Sequence, residues 1–150
     1  MTKWAPTSAS GGVPRGVIIL PNALKISIVD DDDLVRDALE DLLRFLGYEN
    51  LAVFACAEDF LRSDSVLKTS CLIVDLQMPG MSGFDLQKRL IADGLHIPII
   101  FISGASEEQV GADAMQAGAI GFLKKPVDVD YLIQCLNGIV KAGSKLNNSL

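Results

Sequence analysis

No stretch of this chain reaches the roughly 18 to 20 consecutive apolar residues that a membrane span requires. The early run GVIIL is hemmed in by Pro14, Gly16 and Pro21, so neither a span nor a signal peptide is expected. Basic clusters are missing as well. With 13 Lys and Arg against 19 Asp and Glu, and a formal charge of -6, nothing is placed to track a phosphate backbone, and direct nucleic-acid binding is not expected. The lone histidine, His96, falls in the polar turn DGLHIP and is assigned no catalytic role. Three cysteines, Cys56, Cys71 and Cys135, are odd in number, far apart, and without partner histidines at metal-ligand spacing. They read as small core residues of a protein in a reducing cytosol, and a cytoplasmic location is expected.

What is present is an apolar fraction near one half over 150 residues, enough for one core and a single domain. Met1 to about Asn22 is rich in Thr, Ser, Gly, Ala and Pro without a sustained period, so residues 1–24 are read as a flexible extension outside the fold. The domain is expected over 25–142. Residues 143–150, within AGSKLNNSL, are read as a tail or the start of a linker. Between these limits short apolar runs alternate with helical patterns. KISIV precedes a helix to about Phe45, and NLAVFA one from about Glu58 to Leu67; CLIVDL is followed by a helix near Phe84 to Ala92. IPIIFIS then leads to a helix near Glu107 to Ala117, and AIGFLK to a last one from about Asp128 to Lys141. Strands that read as near-continuous apolar runs are those covered on both faces. The pattern therefore predicts an α/β fold, a doubly wound five-stranded parallel sheet with helices on both sides.

In such sheets ligands sit outside the carboxyl ends of the strands. The residues there are Asp30 and Asp31 after the first strand, Asp75 at the end of the third, Ser103 and Gly104 after the fourth, and Lys125-Pro126 after the fifth. The first strand runs into four consecutive aspartates, VDDDDLVR. One of them can cap the following helix, which leaves the others unexplained. Like charges about 4 Å apart repel by roughly 4 kcal/mol at an effective dielectric near 20, a cost that a hard divalent cation reverses. Mg²⁺ is the natural candidate, because it accepts one or two carboxylates and completes its shell with waters and a phosphate oxygen. A lysine and a hydroxyl beside it supply donors to the remaining phosphoryl oxygens. The chemistry indicated is phosphoryl transfer. With no cysteine, histidine or glycine-rich phosphate loop at the strand ends, a carboxylate is left as nucleophile. Asp75 is the best placed, since Pro79 and Gly80 in LQMPGMSG delay the next helix and leave it open.

The segments VDDDDLVR, VDLQMPGMSG, IIFISGA and GFLKKP, in that order and at those intervals, resemble a response-regulator receiver domain of two-component signalling, of the FixJ-like class. The resemblance covers about Lys25 to Lys141 and implies the strand order 2-1-3-4-5. It implies that Asp75 is the phosphoacceptor, receiving the phosphoryl group of a sensor histidine kinase. Asp31 and Asp75 then bind Mg²⁺ directly, Asp30 acts mainly through water, and the main-chain carbonyl of Gln77 is a further ligand. Lys125 holds a phosphoryl oxygen, and the Lys125-Pro126 bond is cis. Ser103 and Phe122 form the switch, the hydroxyl turning to the phosphoryl group and the ring moving into the space vacated. The surface of the fourth helix, fifth strand and fifth helix then gains or loses a partner, including a second copy in a homodimer. Asp32 and Asp33 are left to the loop and helix cap, Lys124 and Arg36 are read as solvated, and Gln77 and Ala105 flank the approach of hydrolytic water.

Two positions depart from the common pattern: Ser103 stands where many relatives carry Thr, and Val127 follows the Lys-Pro pair where many carry Phe. A phosphatase of the haloacid-dehalogenase type needs a second acid where Gln77 stands, and a flavodoxin-like carrier would set FMN phosphate against DDDD. The nearer rival is a receiver-like binding or dimerisation module that is never phosphorylated. Such modules typically lose an acid, the hydroxyl or the lysine; this chain has all of them. The expected protein is a phosphoacceptor signalling domain, not an enzyme, controlling an output, expected to be transcriptional, through an output domain that is absent from this chain or a separate protein.

Overall fold

A computed structural model describes residues 23–104 and 108–148. The extension before residue 23, and Ala105, lie outside the described residues. The elements alternate from the start: β1 (Lys25–Val29), α1 (Asp33–Phe45), β2 (Asn50–Phe54), α2 (Ala57–Arg62), a 3₁₀ turn (Asp64–Leu67) and β3 (Cys71–Asp75). Then come α3 (Gly83–Ala92), β4 (Ile99–Ser103), α4 (Glu108–Gln116), β5 (Gly121–Lys124) and α5 (Val129–Asn148). All strand pairs are parallel, and the sheet order is β2-β1-β3-β4-β5.

The two faces follow from the period of two along each strand. Ile26, Ile28, Cys71, Ile73, Ile100 and Ile102 turn to one side and pack with Leu39 and Leu43 of α1 and Leu132 and Leu136 of α5. Val29, Leu72, Val74, Ile99 and Phe101 turn to the other, against Phe60 of α2, Leu86 and Leu90 of α3 and Ala114 of α4. Both faces of β3 and β4 are therefore buried, which is why CLIVD and IIFIS show no polar alternation. Cys71 is fully buried among these side chains, and burial pushes its thiol pKa up, so it behaves as a small core residue. Ser27 is the polar exception in β1: it is buried, and its hydroxyl meets that of Thr69 at 2.7 Å, which in turn donates to the Ser65 carbonyl.

Local chemistry sets the helix limits, and in two places it moves them from the sequence reading. The single helix expected over Glu58 to Leu67 is broken at Ser63, whose backbone is extended. Its hydroxyl donates to the Phe60 carbonyl at 2.7 Å and accepts from the Ser65 N–H at 3.1 Å, closing one helix and opening the next turn. The last helix continues past Lys141 to Asn148, through most of the segment read as tail. Asp32 caps α1 by accepting from the Leu34 N–H. A reciprocal pair, Ser82 and Asp85, caps α3.

Candidate phosphoacceptor site

Because the sheet is parallel, the carboxyl ends of all five strands meet at one edge, and the loops there carry the polar residues. Asp30 follows the last residue of β1, Asp75 closes β3, Ser103 closes β4, and Lys125 follows β5. The Lys125 N–H donates to the Ser103 carbonyl at 2.8 Å, holding the ends of β4 and β5 together. The Lys125-Pro126 peptide bond is cis.

Asp30, Asp31 and Asp75 each present a carboxylate oxygen within 4.8 Å of the others. Asp30 and Asp75 are buried, and Asp31 is exposed. The Asp75 carboxylate accepts the Gln77 N–H through Oδ1 at 3.1 Å and Lys125 Nζ through Oδ2 at 3.1 Å. The same ammonium lies 3.4 Å from Asp30 Oδ2. Asp30 Oδ1 accepts the Asp32 N–H at 2.9 Å, whereas Asp30 Oδ2 is buried without a hydrogen-bond partner. That buried oxygen, with the Lys125 ammonium at 3.4 Å beside it, forms with the two further carboxylates a donor set that a hard divalent cation takes, and the fit to Mg²⁺ rests on it.

The electrostatics record the crowding. Burial raises the Asp30 pKa above its ordinary value and the charge of Asp75 adds to this, against the Asp32 N–H and Lys125, which lower it. For Lys125, burial acts downward and is the largest single influence, but the hydrogen bond and charge of Asp75, with Asp30, outweigh it and the pKa rises. An acid whose folded pKa is raised binds protons more readily folded than unfolded, so stability falls as pH climbs from its ordinary value of 3.8 through the raised one. Asp30→Asn, in chelator, is therefore expected to be more stable than the parent at neutral pH, with the difference shrinking toward pH 4. Urea unfolding across that range checks this; a difference that does not change with pH would refute it.

Gln77, Ser103 and Phe122 are the other expected participants. Gln77 is exposed, directly beyond Asp75. Ser103 is buried. Phe122 is half-buried and leans on α4 where that helix has no side chain: a Cβ on Gly111 would sit 3.0 Å from the Phe122 ring. Lys124 is exposed.

Arg36 corrects the sequence reading. Its side chain is only 18 % exposed, pairs with Asp33, and donates from Nη1 to the Asp30 main-chain carbonyl at 2.7 Å. A cation one turn into a helix opposes the macrodipole, and that misfit was the available signal. Glu58 contributes from further off: its carboxylate accepts the Met81 N–H at 3.4 Å and steadies the loop after β3. No local pattern marks it, since the contact joins α2 to a loop 23 residues on.

A doubly wound parallel sheet with an acidic cluster and one lysine at its carboxyl edge defines a phosphoacceptor module. Residues 26–137 match the response regulator receiver domain, and the chain belongs to that family, whose members are signalling modules and not enzymes. It is 41% identical over 116 residues to the response regulator protein TmoT of Ectopseudomonas mendocina, covering 77% of this chain and 52% of the relative. It is 39% identical over 111 residues to the transcriptional regulatory protein FixJ of Azorhizobium caulinodans, covering 73% of this chain and 51% of that protein. The chain thus spans about half the length of these relatives. By contrast, its match to the crystal structure of a response regulator receiver domain protein from Clostridium thermocellum, at 25% identity and a TM-score of 0.75, covers 82% of this chain and 98% of that one. Among the described residues no helix is long and apolar enough to cross a membrane.

Proposed function

We propose that this receiver takes a phosphoryl group onto Asp75 from the phosphohistidine of a sensor kinase in the cytoplasm. The observation that carries the reading is the Lys125 ammonium, 3.1 Å from Asp75 Oδ2 and 3.4 Å from the buried Asp30 Oδ2, beside a cluster of three carboxylates. An Asp75 oxygen attacks phosphorus, the P–N bond to the histidine breaks, and its electron pair leaves with the imidazole. Mg²⁺, when bound, neutralises the charge developing on the phosphoryl oxygens. Asp31 and Asp75 would hold it directly and Asp30 through water, with the Gln77 carbonyl as a further ligand. Lys125 then exchanges its Asp75 contact for a phosphoryl oxygen, and Ser103 donates its hydroxyl to another.

The output follows from packing. When Ser103 turns inward, the Phe122 ring moves into the vacated space, and the contact with Gly111 passes that movement to α4. The surface of α4, β5 and α5 thereby changes its affinity for a partner, either a second receiver or an output domain, and the output is transcription.

The test is intact-mass spectrometry after incubation with acetyl phosphate, with and without Mg²⁺. A single, Mg²⁺-dependent adduct that hydroxylamine removes is expected. No adduct under any condition would overturn the reading in favour of a module that pairs without phosphorylation.

A further inference from the structure

Arg36 stands outside the triad of acids, yet its contacts all converge on the segment that carries two of them. Asp30 to Asp33 forms a tight loop closed from within by the Asp32 N–H on Asp30 Oδ1 at 2.9 Å. The Arg36 guanidinium closes it from without. One arm takes the Asp30 carbonyl at 2.7 Å, just past the end of β1, and the other takes the Asp33 carboxylate at the start of α1. The main-chain N–H of Arg36 makes the helix's own first bond, to the Asp32 carbonyl at 3.0 Å, independently of the side chain. A side chain this enclosed, at 18 % exposure beside an Asp33 that is 82 % exposed, is held in place by its partners and is not merely lying on a charged surface.

We infer that Arg36 is a positioning residue for the cation site: it fixes the strand-to-helix loop so that the Asp30 and Asp31 carboxylates are presented to Mg²⁺ together with Asp75. This rests on the Mg²⁺ reading above. Mg²⁺ demands near-ideal octahedral geometry at roughly 2.0 to 2.1 Å, so a loop free to shift by a fraction of an ångström holds it poorly. A forked, planar donor set suits the task, because its two Nη groups hold a carbonyl and a carboxylate in one rigid geometry, whereas a lysine here would carry all its donors on a single nitrogen at the end of a flexible stem.

Charge alone predicts the opposite outcome, and this makes the inference decidable. A guanidinium beside a cation site repels the cation, so removing it should tighten Mg²⁺ binding if electrostatics were its only effect. Positioning predicts weakening. Residues that orient metal ligands from behind typically contribute about 10- to 100-fold in affinity. The full chain, Arg36→Gln and Arg36→Lys are titrated with Mg²⁺ at neutral pH and followed by amide chemical shifts, with urea unfolding in chelator run beside them. Arg36→Gln is expected to bind Mg²⁺ at least about tenfold more weakly while its amide spectrum remains that of the folded parent. Arg36→Lys, which keeps the charge and loses the fork, is expected to show most of the same loss. A purely structural role would lower the urea midpoint and leave the Mg²⁺ affinity of the folded protein where it was. Unchanged or tighter binding in either folded variant overturns the inference while the parent still binds Mg²⁺; a parent that shows no titration overturns the Mg²⁺ reading itself, and the inference with it.

Discussion

Asp75→Asn is expected to form no phosphoryl adduct with acetyl phosphate at any Mg²⁺ concentration, while folding as the parent does. The two side chains have nearly the same shape, so the buried position at the end of β3 is refilled without a cavity. The amide oxygen can still accept the Gln77 N–H that Asp75 Oδ1 accepts now at 3.1 Å. What is lost is charge. A neutral amide oxygen is a poor nucleophile, and among the described residues no other group at this edge replaces it: Asp30 is enclosed by its own loop and Asp31 lies outside the Lys125 contacts. Lys125 gives up its partner at 3.1 Å but keeps Asp30 at 3.4 Å, so no charge is left buried and alone. The substitution also relieves the repulsion that raises Asp30, so stability in chelator should hold or rise. Intact mass and urea unfolding check both halves. Stoichiometric labelling of this variant would remove Asp75 from the role of acceptor.

Much of this arrangement was legible because the strands are buried on both faces. CLIVD and IIFIS read as uninterrupted apolar runs, and the observed β3 and β4 coincide with them to within a residue or two. A residue at the end of such a run must lie at the sheet edge, which is why Asp75, Ser103 and Lys125 could be placed together without knowing any distance. The four aspartates were partly legible: a cap and a cation site were both anticipated, and Asp32 takes the cap. What escaped were interactions whose partners lie far off in sequence or whose competition is local. Ser63 breaks a helix because its hydroxyl outbids the backbone, a choice that apolar periodicity does not record. Arg36 reads as solvated because its sequence neighbours are charged, although one of its acceptors is a main-chain carbonyl, which the sequence of side chains does not display. The contact of Gly111 with Phe122 joins two elements through the absence of a side chain, and a single glycine in a helix signals only a mild cost.

Gly83 is the clearest case of such an absence, and Gly83→Ala is expected to be the most damaging single substitution close to the site. Gly83 opens α3, and its N–H donates to the Leu76 carbonyl at 3.0 Å, which brings the helix start against the end of β3. A Cβ placed there would lie 2.4 Å from the Asp75 carbonyl oxygen and 3.1 Å from both the Asp75 carbonyl carbon and the Leu76 Cα. These are backbone atoms of a buried strand, paired to β4 through Asp75↔Ile102, and they cannot rotate aside as a side chain can. In an exposed helix interior, replacing Gly by Ala gains about 1 kcal/mol. Gly83 is instead the first residue of α3, so little of that gain applies, and the overpacking costs about 1 to 3 kcal/mol, occasionally more, with a clash against buried backbone at the upper end. A net loss of about 3 kcal/mol is expected, enough to lower the melting temperature by on the order of 10 °C in a domain of this size. Because the clash falls on the main chain of Asp75 itself, whatever fraction remains folded should also accept the phosphoryl group more slowly than the parent, at equal concentrations of folded protein. Thermal unfolding in chelator reads the first effect and the initial rate of labelling by acetyl phosphate reads the second. A melting temperature within a degree or two of the parent would mean that α3 can slide away from β3 at little cost, and that the placement of Asp75 does not depend on this close approach.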